Sequence, residues 1–277
     1  MSTVPPGWYP DPQAGANALR YWDGRGWTNQ IVVPAPAAAV TTPHPTLPFP
    51  VAVGAIISVA VPLVLSRYVL RALADQKWPI AVYVLLLAAV AYTPPLLYWR
   101  YASHRWGTGQ MRADVGLTGR WADAGWGPVT WLACVAAQVL IVSIVLATKI
   151  PIQNNTDQIR EARDNPGYVI PILIVAVVAA PIVEEIVFRG LVQRGLLSVA
   201  SPVVAVGAQA VLFGSAHVDP ARGAGNIGLV MALSGVGAVL GGSSYLLRRL
   251  APNMIAHAII NGVAMAVVLS GWTPGNG

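Results

Sequence analysis

Apolar runs of about 18 or more residues recur along this 277-residue chain, and nothing else in it limits the choice of fold so sharply. A run of that length can cross the hydrocarbon layer of a bilayer, where only helices and closed barrels satisfy their own backbone hydrogen bonds. The runs are continuous rather than alternating, which favours helices. Seven segments fit: Phe49–Leu70, Trp78–Trp99, Pro128–Ile150, Tyr168–Ser198, Ser201–Val218, Ile227–Leu247 and Pro252–Ser270. With 55% hydrophobic residues and a mean hydropathy of +0.59, an ordinary soluble domain is excluded. The expected fold is all-α, a polytopic integral membrane helical bundle of about seven transmembrane helices, with a small amino-terminal Trp-rich β-type module. The net charge of +6 is small for this length, and Arg248-Arg249 is the longest basic run. Membrane topology alone calls for basic loops of this kind, so nucleic acid is not an expected partner. Cys134 is the single cysteine and lies in an apolar run, which excludes an internal disulfide and a thiolate metal cluster.

Residues 5–30 read as a separate unit. Trp8, Tyr9, Tyr21, Trp22 and Trp27 can form an aromatic cluster, and Asp23-Gly24 with Arg25-Gly26 marks a tight turn between two short strands. So short a unit has a marginal core. Its Gly-Trp-Tyr-Pro-Asp-Pro and Tyr-Trp-Asp-Gly elements resemble a short tryptophan-rich module found ahead of membrane segments in actinobacterial proteins (DUF2510-like). That resemblance implies no activity; by analogy with aromatic Pro-binding modules a protein partner is one reading, and a small aromatic-stapled knob with no partner is the other. Residues 31–50 are Pro- and Ala-rich without a helical period and read as a semi-rigid linker, with His44 inert between two prolines. Met1–Asp11 lacks the apolar core of a cleavable signal peptide.

Residues 51–150 are expected to hold three spans, and residues 168–271 a core that carries the unusual polar groups. Pro62 and Pro94-Pro95 should kink or end their helices. Trp99, Tyr101 and Trp106 suit an interfacial belt. Placing the amino terminus in the cytoplasm of a cell membrane puts Arg100, Arg105, Arg112, Arg120, Arg189, Arg194, Arg248 and Arg249 inside. Arg67, Arg71 and Lys77 then fall outside, and the larger set decides the orientation.

Ionisable groups within a span cost several kcal/mol each unless they are paired or face a wet cavity. The stretch Pro181–Gly190 nevertheless contains Glu184, Glu185 and Arg189. Glu185 and Arg189 are four apart and share a helix face, so they can neutralise each other. Glu184 points about 100° away and has no local partner. One carboxylate therefore reads as structural and the other as available. Phe213 with His217, and His257 with Asn261, are likewise four apart on later apolar helices. A lone intramembrane histidine more often bridges helices than reacts; two of them, an Asn and an unpaired Glu reverse that weighting. If the fourth and fifth segments form a hairpin, Glu184 and His217 come within about 3 Å of the same level at 1.5 Å rise per residue. Bringing Asn261 to that level needs the Arg189–Ser198 part to overhang, with a site inside the bilayer open toward the cytoplasm.

Glu184-Glu185-x-x-x-Arg189, Phe213-x-x-x-His217 and His257-x-x-x-Asn261 resemble the three motifs of the CPBP (CAAX protease and bacteriocin-processing, or Abi) intramembrane glutamic endopeptidases, the Rce1-like proteases. The resemblance covers Tyr168–Ser270. It implies a peptidase acting on a membrane-associated peptide or protein, with no cofactor. Glu184 is then the general base activating a water, aided by His217, and His257 with Asn261 forms an oxyanion hole. Glu185, Arg189 and Phe213 support them. Three alternatives stand beside it. Two His and a Glu could bind zinc in a membrane metalloprotease, although no His-Glu-x-x-His exists. Ala232-x-Ser234-Gly235 approximates the nucleophile turn of a rhomboid-like serine protease. A non-proteolytic scaffold or transport-related protein could use the polar cluster for packing or ligand binding.

Overall fold

Asp23 closes a tight turn near the amino terminus, its Oδ1 accepting hydrogen bonds from the backbone N–H of Arg25 and Gly26, both at 2.7 Å. The turn joins two strands of an antiparallel three-stranded sheet: β1 (Gly7–Pro10), β2 (Leu19–Trp22) and β3 (Trp27–Val32), in that spatial order. The sequence suggests only two strands; β1 adds the third, pairing Trp8 with Tyr21. Edge-to-face contacts between Trp8 and Tyr21, Tyr9 and Trp27, and Trp22 and Trp27 stand in for a core. The computed structural model of the chain describes residues 4–11, 18–33, 47–153 and 156–271. Most of the stretch read as a linker, His44 included, lies outside these residues. The chain divides into two units, Met1–His44 and Pro45–Gly277.

The second unit is helical. In order it contains α1 (Phe49–Leu73), α2 (Ile80–Trp106), a short α3 (Met111–Val115), α4 (Asp123–Ala147) and a short α5 (Asp157–Glu161). There follow α6 (Pro166–Leu196), α7 (Pro202–Ser215), α8 (Gly225–Leu247) and α9 (Ala251–Leu269). Helices α1, α2, α4, α6, α8 and α9 are long and apolar enough to cross a membrane. The remaining apolar segment forms α7, of 14 residues, which at 1.5 Å per residue is about 21 Å long and short of a hydrocarbon layer of about 30 Å. It stops before the expected Val218 because Pro220 drives Asp219 into an extended conformation (φ −121°, ψ 120°). His217 therefore sits in the turn after the helix rather than on it.

Pro94 and Pro95 lie inside α2 without ending it, and α1 likewise runs through Pro62. In lipid no water waits to receive the carbonyls a broken helix would release, so bending costs less than breaking. α6 is continuous but not uniform. It is π-helical over Val175–Ala179 and again over Ile186–Gln193, where the ladder widens to i→i+5 bonds.

α6 is the buried axis of the unit. Every residue from Ile186 to Gln193 is buried. Ile186, Val187, Leu191 and Val192 pack with Val51 and Ala55 of α1, Ala102 of α2, and Phe213 of α7. Behind it α7 and α8 approach backbone to backbone; a Cβ on Gly237 would lie 3.1 Å from the Ala210 Cα. At one end of the bundle Asp114 gathers the turn after α2. Its carboxylate accepts hydrogen bonds from the Ser103 hydroxyl and from the backbone and hydroxyl of Thr108, the last two at 2.9 and 2.7 Å. Burial alone would raise the Asp114 pKa, but these donors outweigh it and hold the carboxyl below its ordinary value. Arg249 pairs with Asp123 at 2.6 Å at the start of α4.

Candidate active site

Glu185 and Arg189 are fully buried, and the Arg189 Nη1 donates to Glu185 Oε1 at 2.8 Å. A buried pair repays its desolvation only when its remaining hydrogen-bonding capacity is also met. Here α7, α8 and α9 supply most of those partners, with Arg189 Nε left without one among the described residues. Arg189 Nη2 donates to the Gly237 carbonyl at 3.2 Å, and its guanidinium lies over the Phe213 ring at 4.5 Å. The Asn253 amide donates to Glu185 Oε2 at 3.3 Å and to the Leu240 carbonyl at 2.6 Å. His257 Nδ1 faces Glu185 Oε1 at 3.1 Å. Two glutamines complete the fastening to α8: Gln193 donates to the Gly241 carbonyl and Gln209 to that of Gly237.

Glu184 turns the other way, into a cavity of about 250 Å³ that is also lined by His217, Phe213, His257 and Asn261. The five side chains expected at the site from sequence thus share one chamber, with Glu185 and Arg189 directly behind it. Glu184 Oε2 lies 3.8 Å from His257 Nε2, so one imidazole stands between the two carboxylates. That oxygen is buried and has no hydrogen-bond partner among the described residues. His217 Nδ1 is 2.9 Å from the Phe213 carbonyl. A carbonyl only accepts, so Nδ1 carries a proton; in the neutral imidazole Nε2 then keeps its lone pair. Asn261 donates to the Ala176 carbonyl at 2.7 Å, within the first π-helical stretch of α6, where the regular ladder is interrupted. Phe213 packs edge-on to both imidazoles, at 5.1 and 5.8 Å between ring centroids.

Three residues of this neighbourhood are absent from the sequence reading. Tyr92 of α2 lines the cavity, and its hydroxyl is within hydrogen-bonding reach of the Glu184 carboxylate. Gln138 of α4 also lines it. Asn253 was legible in principle, because Asn253, His257 and Asn261 repeat every four residues along one face of α9. Ser234, the alternative nucleophile, lines a separate apolar pocket beside Ile141 and Gly235. Among the described residues no three His, Cys, Asp or Glu side chains form a group able to hold a metal ion.

The cavity also reaches Thr156 and Ile159, in the segment between α4 and α6. α4 begins beside the arginine-rich connection and ends at this segment, so the cavity extends toward the opposite end of the bundle from α3. Access from the arginine-rich side, as the hairpin geometry suggested, is not what the packing provides. The Arg189–Ser198 stretch does not overhang freely; most of it is enclosed by α1, α3 and α7.

Carboxylates and imidazoles thus meet in one cavity among apolar helices, and the chain is similar to known families over two stretches. Residues 166–263 match the family described as type II CAAX prenyl endopeptidase Rce1-like, and residues 6–40 match a protein family of unknown function, DUF2510. The chain is a multi-pass, CAAX-protease-like membrane peptidase with a DUF2510 module at its amino terminus. No curated protein and no solved structure matches it.

Proposed function

We propose that Glu184 is the general base of this endopeptidase and that the substrate is a peptide or protein held at the membrane. Water bound between Glu184 and the lone pair of His217 Nε2 loses a proton to Glu184 as its oxygen attacks the peptide carbonyl. The tetrahedral oxyanion is met by donors from α9. Asn261 has a second amide N–H beyond the one given to Ala176. His257, whose Nδ1 faces Glu185, can donate through Nε2 as an imidazolium. The proton held by Glu184 then passes to the leaving amine as the C–N bond breaks. A positioned base contributes about 10²–10⁴-fold and one oxyanion donor about 10²–10³-fold.

The observation that carries this reading is Glu184 Oε2: a buried carboxylate oxygen without a protein donor, 3.8 Å from an imidazole, on the wall of a cavity. Arg189 Nε, Gln193 Oε1, Gln209 Oε1 and Asn253 Oδ1 are also without partners among the described residues, but their side chains do not line the cavity, whereas Glu184 does. The test compares membrane peptides and protein termini in cells carrying the intact protein and the Glu184→Gln form. Termini that disappear with Gln while the protein still folds in detergent support the role, and unchanged termini refute it. In this mechanism no metal acts, so exhaustive chelation is expected to leave cleavage intact; loss of cleavage restored by zinc would replace the general base with a metal-bound water.

A further inference from the structure

Helices α4 and α6 to α9 carry six carboxamide side chains, and five of them make hydrogen bonds inside the bundle. Gln193 and Gln209 donate to carbonyls of α8, Asn226 braces the turn after α7, Asn253 donates to Glu185, and Asn261 donates to the Ala176 carbonyl. The sixth is Gln138 of α4. It makes no hydrogen bond among the described residues, is half-buried, and lines the cavity that holds Glu184. Its helix has a mean hydropathy of 2.4 over its most apolar window. A polar amide kept in such a span without a partner is costly and calls for one.

Gln138 enters the cavity from another wall than the base does. Glu184 comes from α6, whereas α4 packs chiefly against α8 and α9. One turn before Gln138, Cys134 is sealed against Val236 of α8 and Ala256 of α9. Val236 also lines the cavity, so the space opens just beyond that seal, at the level of Gln138.

We infer that Gln138 is a substrate-binding residue that pairs with the backbone of the peptide to be cut. Its amide N–H donates to the carbonyl of one substrate residue, and its Oε1 accepts from the N–H of that same residue. This rests on reading the cavity around Glu184 as the place of cleavage. In an extended chain the N–H and C=O of a residue point to the same side, which is how two strands exchange a pair of hydrogen bonds. A carboxamide offers the matching donor and acceptor on one short side chain. A peptide entering an apolar cavity loses the water on those groups and needs such a replacement. The pairing ignores side chains, so it fixes which bond lies before Glu184 without demanding a particular sequence.

Two measurements on the full chain in nanodiscs test this. The first is thermal unfolding without substrate. Gln138→Leu removes the polarity of the side chain at similar size, and its melting temperature is expected to match or exceed that of the intact protein. A fall would mean that Gln138 is already bonded in the resting protein, and overturns the inference.

The second takes a pool of synthetic peptides of mixed sequence, with cuts read by mass spectrometry. One cleaved peptide is remade with single backbone esters, which replace an N–H by oxygen, at every position except the scissile bond. Gln138→Leu is expected to raise KM about tenfold, to leave kcat within about twofold, and to add cuts at neighbouring bonds. One of the esters is expected to raise KM for the intact protein about tenfold and to do no further harm to the Gln138→Leu protein, because both changes remove the same pairing. An unchanged KM for Gln138→Leu, or equal ester losses in the two proteins at every position, overturns the inference. Undiminished cleavage by the Glu184→Gln protein sinks the general-base reading instead, and the ester comparison still reports on Gln138.

Discussion

Glu185 receives three donors at once, from Arg189, Asn253 and His257, and that crowding decides what each neighbour is worth. Removing Arg189 leaves a carboxylate buried without its counter-charge, so Arg189→Ala is expected to lower stability by about 3–5 kcal/mol. Asn253→Ala removes a neutral donor and is expected to cost about 1–3 kcal/mol. Thermal unfolding in detergent checks both, and a larger loss for Asn253 than for Arg189 would contradict this ranking. At this scale the sequence was informative where charge met apolar surroundings. Glu184, Glu185, Arg189 and both intramembrane histidines were conspicuous because lipid makes them costly. Tyr92 was not, since an aromatic residue in a span needs no explanation, and Gln138 gave no pattern. Asn253 is legible as well, since it completes a stripe with His257 and Asn261.

Among the elements, the short helix α7 matters most, because it leaves His217 to be held by a turn. Asn226 braces that turn, donating to the Asp219 and Gly223 carbonyls at 2.7 and 3.0 Å and accepting from the Asp219 N–H. Arg222 adds a hydrogen bond to the His217 carbonyl. Asn226→Ala is expected to reduce kcat while shifting the melting temperature little; the opposite pattern would make the turn a stability element instead. Helix periodicity could not reveal this, since Ala216-His217-Val218 continues an apolar run and only Pro220 marks the stop. The π-helical stretches of α6 were not equally hidden. Pro181 lies just past the first stretch and has no N–H to return to the carbonyls a turn back, so that widening had a local signal; the second stretch, Ile186–Gln193, contains no proline and answers the packing of its neighbours. The turn held by Asp114 carries its own pH dependence. Its carboxyl lies below the ordinary value of 3.8, so the stability it contributes is present above that value and is lost as pH falls through the lower folded-state value. Ser103→Ala removes one of those donors and should make the acid-side loss smaller, as read by unfolding temperature against pH.

For the molecule as a whole, hydropathy identified the membrane bundle and basic residues suggested its orientation, but neither located the entrance to the cavity. We propose that the amino terminus is cytoplasmic, which places α3 inside and Thr156 with Ile159 on the outer side. The cavity then draws from the non-cytoplasmic half of the membrane. Cysteines introduced at Arg112 and at Ile152, in a Cys134→Ala background, should be labelled by an impermeant maleimide from the inside and the outside respectively. The reverse labelling would invert the protein and give the cavity a cytoplasmic mouth.

The carbonyls of Gly237, Leu240 and Gly241 take side-chain hydrogen bonds from α6, α7 and α9, so α8 is a template on which three other helices are fastened. During synthesis α6 emerges with its glutamates and arginine long before residues 237–257 exist to receive them. A nascent chain halted ahead of residue 251 would enter the bilayer yet stay unset, an obvious client for quality-control proteases. Completion of α9, rather than insertion of α1, is the step at which this enzyme acquires its lifetime.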